Sequence, residues 1–375
     1  MEEPRSLAPP SFPPIGPLPP GCPRAEDVFS PELLARYNPQ VVKYVLASMA
    51  PGMPPATHQV ELSVVRAHPS TFRAPWQKDA SAFERVAAAQ FVSEDGVEIP
   101  VQVYHPDPAR FGNGPYGVHL NFHGGGFVFG DLTTESSLCL SMRDGAGVVV
   151  VDVNYRHCPE AQFGKCFQDG WAALHWVRDS ASELNIDPES VSVGGISAGA
   201  HISIVLQHLA RDGGIPLRLC MATVPPTSGW MGYEDYRESP FASFREFALG
   251  PVLSWERLQY LGRTCLPFTV ERREEEGYAD LPCPAWQVSP LEAANWSGLC
   301  PALIRTAEVD PLRDEGEAYG KKLLENGNKV TMKRYLGCPH MFPYYQWLPE
   351  KQEFDRESIA ALKEAHRSQE RPIAM

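Results

Sequence analysis

The chain has 375 residues, 43% hydrophobic and 21% charged, with a formal net charge of −13. That length supports a large buried core, and the composition excludes disorder over the whole chain. The acidic balance opposes attraction to nucleic-acid phosphates or anionic lipid surfaces. No 18-residue uncharged apolar run is present, so stable membrane insertion is not expected either.

Nine cysteines include no CxxC pair and leave at least one unpaired in a monomer, which argues against structural zinc. The expectation is a protein without metal or cofactor, placed in the cytoplasm because the first 30 residues lack a continuous apolar segment.

The 37 prolines are about twice the usual share, and their concentration in residues 1–23 predicts an extended arm. Between Pro31 and Ala50, apolar residues recur at helical spacing (Leu33, Leu34, Tyr37, Val41, Val42, Val45), interrupted by Pro39, which predicts two short helices. The stretch 60–92 has no clear period until Phe83–Phe91, which with Val97–Tyr104 flanks a Ser-Glu-Asp-Gly turn and reads as an antiparallel pair.

From residue 116 the pattern becomes strand, loop, helix. Strands are predicted near 116–122, 147–155, 190–196, 216–223, 301–307 and 329–335, with helices near 134–144, 164–183, 198–211, 313–326 and 351–366. That order predicts a mostly parallel sheet flanked by helices on both faces. The final strand is a candidate exposed edge, compatible with a monomer or a homodimer.

Residues 224–300 break the pattern with aromatics and a charged run, Glu271–Glu276; a structureless loop of that length would be unusual, so a helical insertion over the sheet is expected. The resulting division is an arm (1–23), a first cap segment (24–82), a core (83–223), a cap insertion (224–300) and a second core segment (301–375).

Gly195-Ile196-Ser197-Ala198-Gly199 follows a predicted strand and opens a predicted helix, the setting in which GxSxG makes a nucleophile elbow. Upstream, His123-Gly124-Gly125-Gly126-Phe127 ends another strand without GxGxxG spacing. Such a run of bare amides suits an oxyanion, with Gly125, Gly126 and Ala198 as donors and His123 ordering the loop. Asp310 and His340 follow in the order serine, acid, base, with Glu308 a competing carboxylate. Phe127, Trp230, Tyr233, Phe241, Phe244 and Phe247 are candidate walls of an apolar pocket.

The motifs at 123–127, 154–160, 195–199, 309–316 and 339–342 make the chain resemble the hormone-sensitive-lipase-like branch of the α/β-hydrolases. The resemblance implies that fold, with an eight-stranded, mostly parallel sheet and a helical cap. It also implies a Ser197–Asp310–His340 triad, oxyanion amides at Gly125, Gly126 and Ala198, and hydrolysis of a small-molecule ester or lactone. Ile196 stands where the family commonly has aspartate, and Ala200 where it commonly has glycine. His157-Cys158 likewise replaces a more usual leucine-alanine. Alternatives are a specialised-metabolism hydrolase, transacylase or cyclase on a polyketide-like or terpenoid intermediate, and a non-catalytic ligand receptor.

Overall fold

The computed structural model describes residues 17–72, 77–266 and 281–367. Most of the proline-rich arm and the charged run Glu271–Glu276 lie outside the described residues.

Eight strands form one sheet: β1 (Val86–Val92), β2 (Glu98–Tyr104), β3 (Tyr116–Phe122), β4 (Val149–Val153), β5 (Ile186–Ile196), β6 (Leu219–Thr223), β7 (Ala302–Ala307) and β8 (Val330–Tyr335). Their order is β1-β2-β4-β3-β5-β6-β7-β8. Strand β2 pairs antiparallel with both β1 and β4, and every later pairing is parallel. This is the α/β-hydrolase fold, with the sheet that the strand pattern predicts.

The valine run explains why the sheet is covered on both sides. Along β4 every residue is buried, and successive side chains alternate faces. Val149, Val151 and Val153 join one apolar cluster, while Val148 and Val150 join the other.

Two helices described early frame the N-terminal region: α1 (Pro39–Ser48) and α2 (Leu62–Ala67). The two short helices expected between Pro31 and Ala50 are present, Pro31–Leu34 and then α1, and Pro39 starts the second. It occupies the first turn, where a missing N–H costs nothing, and the Asn38 side chain accepts from the Gln40 amide. Val41, Val42 and Val45 of α1 enter the same cluster as Val150, joined by α3 (Ser136–Ala146) through Leu138 and Met142.

The opposite face holds α4 (Lys165–Asp179) and α5 (Ala198–Asp212), through Phe167, Leu174, Ile202 and Leu206. After β6 come α6 (Ala242–Phe247) and α7 (Trp255–Cys265), the latter capped by the Ser254 hydroxyl accepting from the Arg257 amide. Helix α8 (Arg313–Glu325) extends the α4–α5 layer through Tyr319 and Leu323, and α9 (Pro349–Ala365) packs beside α3 through Phe354 and Leu362. Among the described residues, no helix is long and apolar enough to cross a membrane.

Candidate active site

The parallel strands all end on one side, and there the chain turns from β5 directly into α5 at Ser197. The residue sits at φ +56° and ψ −117°, a region that costs a non-glycine residue roughly 1–3 kcal/mol and persists only where the surroundings hold it. Its amide donates to the Thr223 carbonyl at 2.9 Å. The flanking glycines have a different role from the turn freedom their pattern suggests, because neither has a positive φ. A Cβ at Gly195 would lie 2.2 Å from the Phe122 carbonyl oxygen, and one at Gly199 1.7 Å from it. They let α5 lie against the end of β3.

Three side chains from three separate loops meet at this turn. The Ser197 hydroxyl is 2.9 Å from His340 Nε2, and His340 Nδ1 is 2.8 Å from Asp310 Oδ2. A carboxylate can only accept, so Nδ1 carries the proton and Nε2 is left to accept from the serine. Asp310 is fully buried, and its Oδ1 accepts from the Leu312 amide at 3.0 Å. Glu308 points elsewhere: it accepts from the Gly337 amide at 2.7 Å and pairs with Arg36.

The glycine loop after β3 lies across from the serine. Gly125 and Gly126 have φ of +138° and +64°, so here the backbone does require glycine. Among the described residues no acceptor is seen for the amides of Gly125, Gly126 or Ala198, the last being the first residue of α5. His123 is fully buried and bonds the neighbouring Gly124 carbonyl at 2.9 Å, with its ring stacked on Tyr155. Burial pushes its pKa below the ordinary histidine value, which keeps the ring neutral.

The sequence gives no motif for Glu135, which fastens this loop. Its Oε1 accepts from the Gly124 amide at 2.9 Å and the Tyr344 hydroxyl at 2.7 Å, and Asn121 donates to its Oε2 at 3.1 Å. One carboxylate thereby joins the glycine loop to the segment after His340. Burial, the largest influence, outweighs those three donors and raises its pKa from 4.5 to about 7. Ile196 is buried in the apolar cluster containing Val150, Leu138 and Tyr344.

A cavity of about 350 Å³ opens onto Ser197 and His340. Its walls include Phe127 and Trp230, as the sequence suggests, together with Phe129, Leu253, Leu258 and Leu261. Thr57, Val65 and Phe72 close it from the N-terminal side. Tyr233, Phe241, Phe244 and Phe247 are not on its wall. Phe244 packs against Tyr233 and Trp255, and Phe247 lies between the guanidinium groups of Arg36 and Arg313. Partly buried Phe241 belongs to the packing around the core. Aromatic content alone cannot separate these packing residues from lining ones. The helical spacing of Leu258 and Leu261 behind the Ser254 cap signals a buried face of α7, and the fold turns that face toward the cavity.

Residues 119–344 match the family model described as the alpha/beta hydrolase fold. Carboxylesterase NlhH of Mycobacterium tuberculosis is 35% identical over 280 residues, covering 73% of this chain and 81% of its own. The arylesterase of Saccharolobus solfataricus is 31% identical over 248 residues, 65% of this chain and 73% of its own. A solved thermostable esterase from Pseudomonas putida superposes with a TM-score of 0.70 at 29% identity, covering 85% of this chain and 94% of its own. The chain belongs to the α/β-hydrolase fold family. Within it, the protein is a carboxylic ester hydrolase of the hormone-sensitive-lipase-like branch.

Proposed function

We propose that the protein cleaves a carboxylic ester or lactone of a small to medium apolar substrate through an acyl-enzyme on Ser197. The observation that carries this reading is the continuous chain of hydrogen bonds from Asp310 through His340 to Ser197 at the mouth of the cavity.

In this mechanism His340 Nε2 takes the serine proton as Oγ attacks the ester carbonyl, and Asp310 holds the imidazole in the tautomer that can do so. Negative charge then develops on the carbonyl oxygen. The amides of Gly125, Gly126 and Ala198 receive it, each of the order of 3 kcal/mol when aimed at the transition state. His340 returns the proton to the leaving alkoxide, and water, activated by the same imidazole, releases the acid.

The cavity volume lies at the low end of small-molecule sites, and its leucine and aromatic walls favour an apolar chain over an emulsified long-chain lipid. Residues 24–82 and 224–300 act together as the cap in this reading, since both supply wall residues and Arg257 Nε meets His58 Nδ1 between them at 3.2 Å. A serine-directed fluorophosphonate should label one residue per chain, Ser197, and block turnover of short esters. Labelling that persists in Ser197→Ala would refute the proposal.

A further inference from the structure

The apolar cavity wall contains one feature that an apolar substrate does not explain. Arg257 borders it from α7, beside Leu258 and Leu261. Its Nε donates to His58 Nδ1 at 3.2 Å and its Nη1 to the Val252 carbonyl at 3.0 Å. Both acceptors are neutral. Burial is the first cause lowering the His58 pKa below its ordinary value, with Arg257 itself the next, and an accepting Nδ1 requires the unprotonated ring.

Among the described residues no carboxylate pairs with Arg257. Glu256, its neighbour in sequence, is largely exposed and lies 3.8 Å from His58 Nε2 instead. The other arginine on the wall, Arg66, is neutralised by Glu160 at 3.1 Å. Asp131, also on the wall, is engaged by the amide and hydroxyl of Thr133.

The remaining nitrogen of Arg257, Nη2, has no protein acceptor among the described residues, yet it is not one of the buried polar atoms sealed from solvent. It therefore keeps some exposure, and Arg257 is one of the residues that border the cavity. A guanidinium drawn out of water without a counter-ion is costly, and a leucine or methionine would complete the apolar wall without that cost.

The spacing along α7 locates this cation relative to the chemistry. Leu261 packs against the oxyanion loop, where a Cβ on Gly126 would lie 2.5 Å from its Cδ1. Arg257 is one turn earlier, about 6 Å along the axis, and both side chains lean the same way, so that offset is kept between them. A substrate arm that runs from the oxyanion loop past Leu261 and Leu258 reaches Arg257 after roughly one helical turn.

Resting on the esterase reading above, we propose that Arg257 determines specificity by receiving a carboxylate at the far end of the substrate. The preferred substrate is then an ester whose apolar arm ends in an anion about five to six bonds from the reacting carbonyl. The charged end forms a charge-assisted hydrogen bond with Nη2, and the methylenes between lie against Leu258 and Leu261.

Two substrates of equal length separate the charge from the chain: 4-nitrophenyl hexanoate and the mono-4-nitrophenyl ester of adipic acid. The full-length protein should favour the adipate ester in kcat/KM, by about 10-fold or more if the pair behaves as a charge-assisted hydrogen bond. Arg257→Gln should reduce the adipate-to-hexanoate ratio by at least about 10-fold, and Arg257→Lys should restore part of it. The ratio is the readout, so a change in overall activity does not obscure it, and the unmodified protein decides alone if a variant fails to fold. Equal or better use of the hexanoate ester by the unmodified protein overturns the Arg257 assignment while leaving the esterase reading intact. Failure to hydrolyse either ester, with no fluorophosphonate label on Ser197, overturns both.

Discussion

Replacing Asp310 by asparagine changes one atom, and the surrounding hydrogen bonds dictate what that atom does. Asp310 Oδ1 accepts from the Leu312 amide at 3.0 Å and Oδ2 from His340 Nδ1 at 2.8 Å, both in a fully buried position. Asparagine has a single acceptor oxygen. If its NH₂ faced the Leu312 amide, two donors would oppose each other in the interior, at about 1–3 kcal/mol. The favoured orientation keeps the oxygen on Leu312 and turns the NH₂ toward His340. Nδ1 must then accept, Nε2 carries the proton, and the imidazole can no longer take the proton from Ser197. A wrong tautomer in this kind of triad lowers kcat by about 10⁴, or roughly 5.5 kcal/mol of transition-state stabilisation. The assay is kcat/KM on a short 4-nitrophenyl ester, with urea unfolding to show that the fold is retained. A loss smaller than about tenfold in folded Asp310→Asn would refute the orienting role of this carboxylate.

Gly199→Ala tests the close approach of α5 to β3: a Cβ would lie 1.7 Å from the Phe122 carbonyl oxygen and 2.9 Å from that of His123, both backbone. The expected cost is about 3 kcal/mol or more in urea unfolding, with activity falling as Ser197 is displaced; a change below about 1 kcal/mol would contradict the packing. Glu135 makes a pH prediction. Its folded pKa, near 7, is raised above the ordinary 4.5, so its stabilising contribution is complete below about pH 4.5 and is lost as pH rises through 7. Between those limits the loss from this group approaches about 3 kcal/mol. Stability of the unmodified protein should therefore fall more steeply over that window than that of Glu135→Gln, and parallel curves would rule the coupling out.

The sheet was readable because its signals are local: β-branched runs, turn residues and strand–helix alternation place β3 to β8 without any long-range information. The elbow at Ser197 was also legible, since a GxSxG motif between a strand and a helix points to a nucleophile elbow more strongly than to a plain glycine-rich turn. The reason for its glycines was not clear, because contact with Phe122 depends on how α5 docks on the sheet. Order in the chain left Glu308 competing with Asp310, the family resemblance favoured Asp310, and the direction of each side chain agrees with that choice. Glu135 was invisible because its partners, Asn121, Gly124 and Tyr344, are scattered through the sequence. The cavity wall was the least legible part. Phe244 and Phe247 are as aromatic as Phe127 and Trp230, yet they are buried in packing away from the cavity wall, in two different apolar clusters.

The most direct test of the proposed chemistry is to quench the protein during turnover of a slowly deacylated ester and measure its intact mass. One acyl group per chain should appear, localised by fragmentation to the peptide containing Ser197, and both the adduct and turnover should vanish in Ser197→Ala. An acyl group on any other residue, or undiminished turnover in Ser197→Ala, would contradict the assignment of Ser197 as the nucleophile.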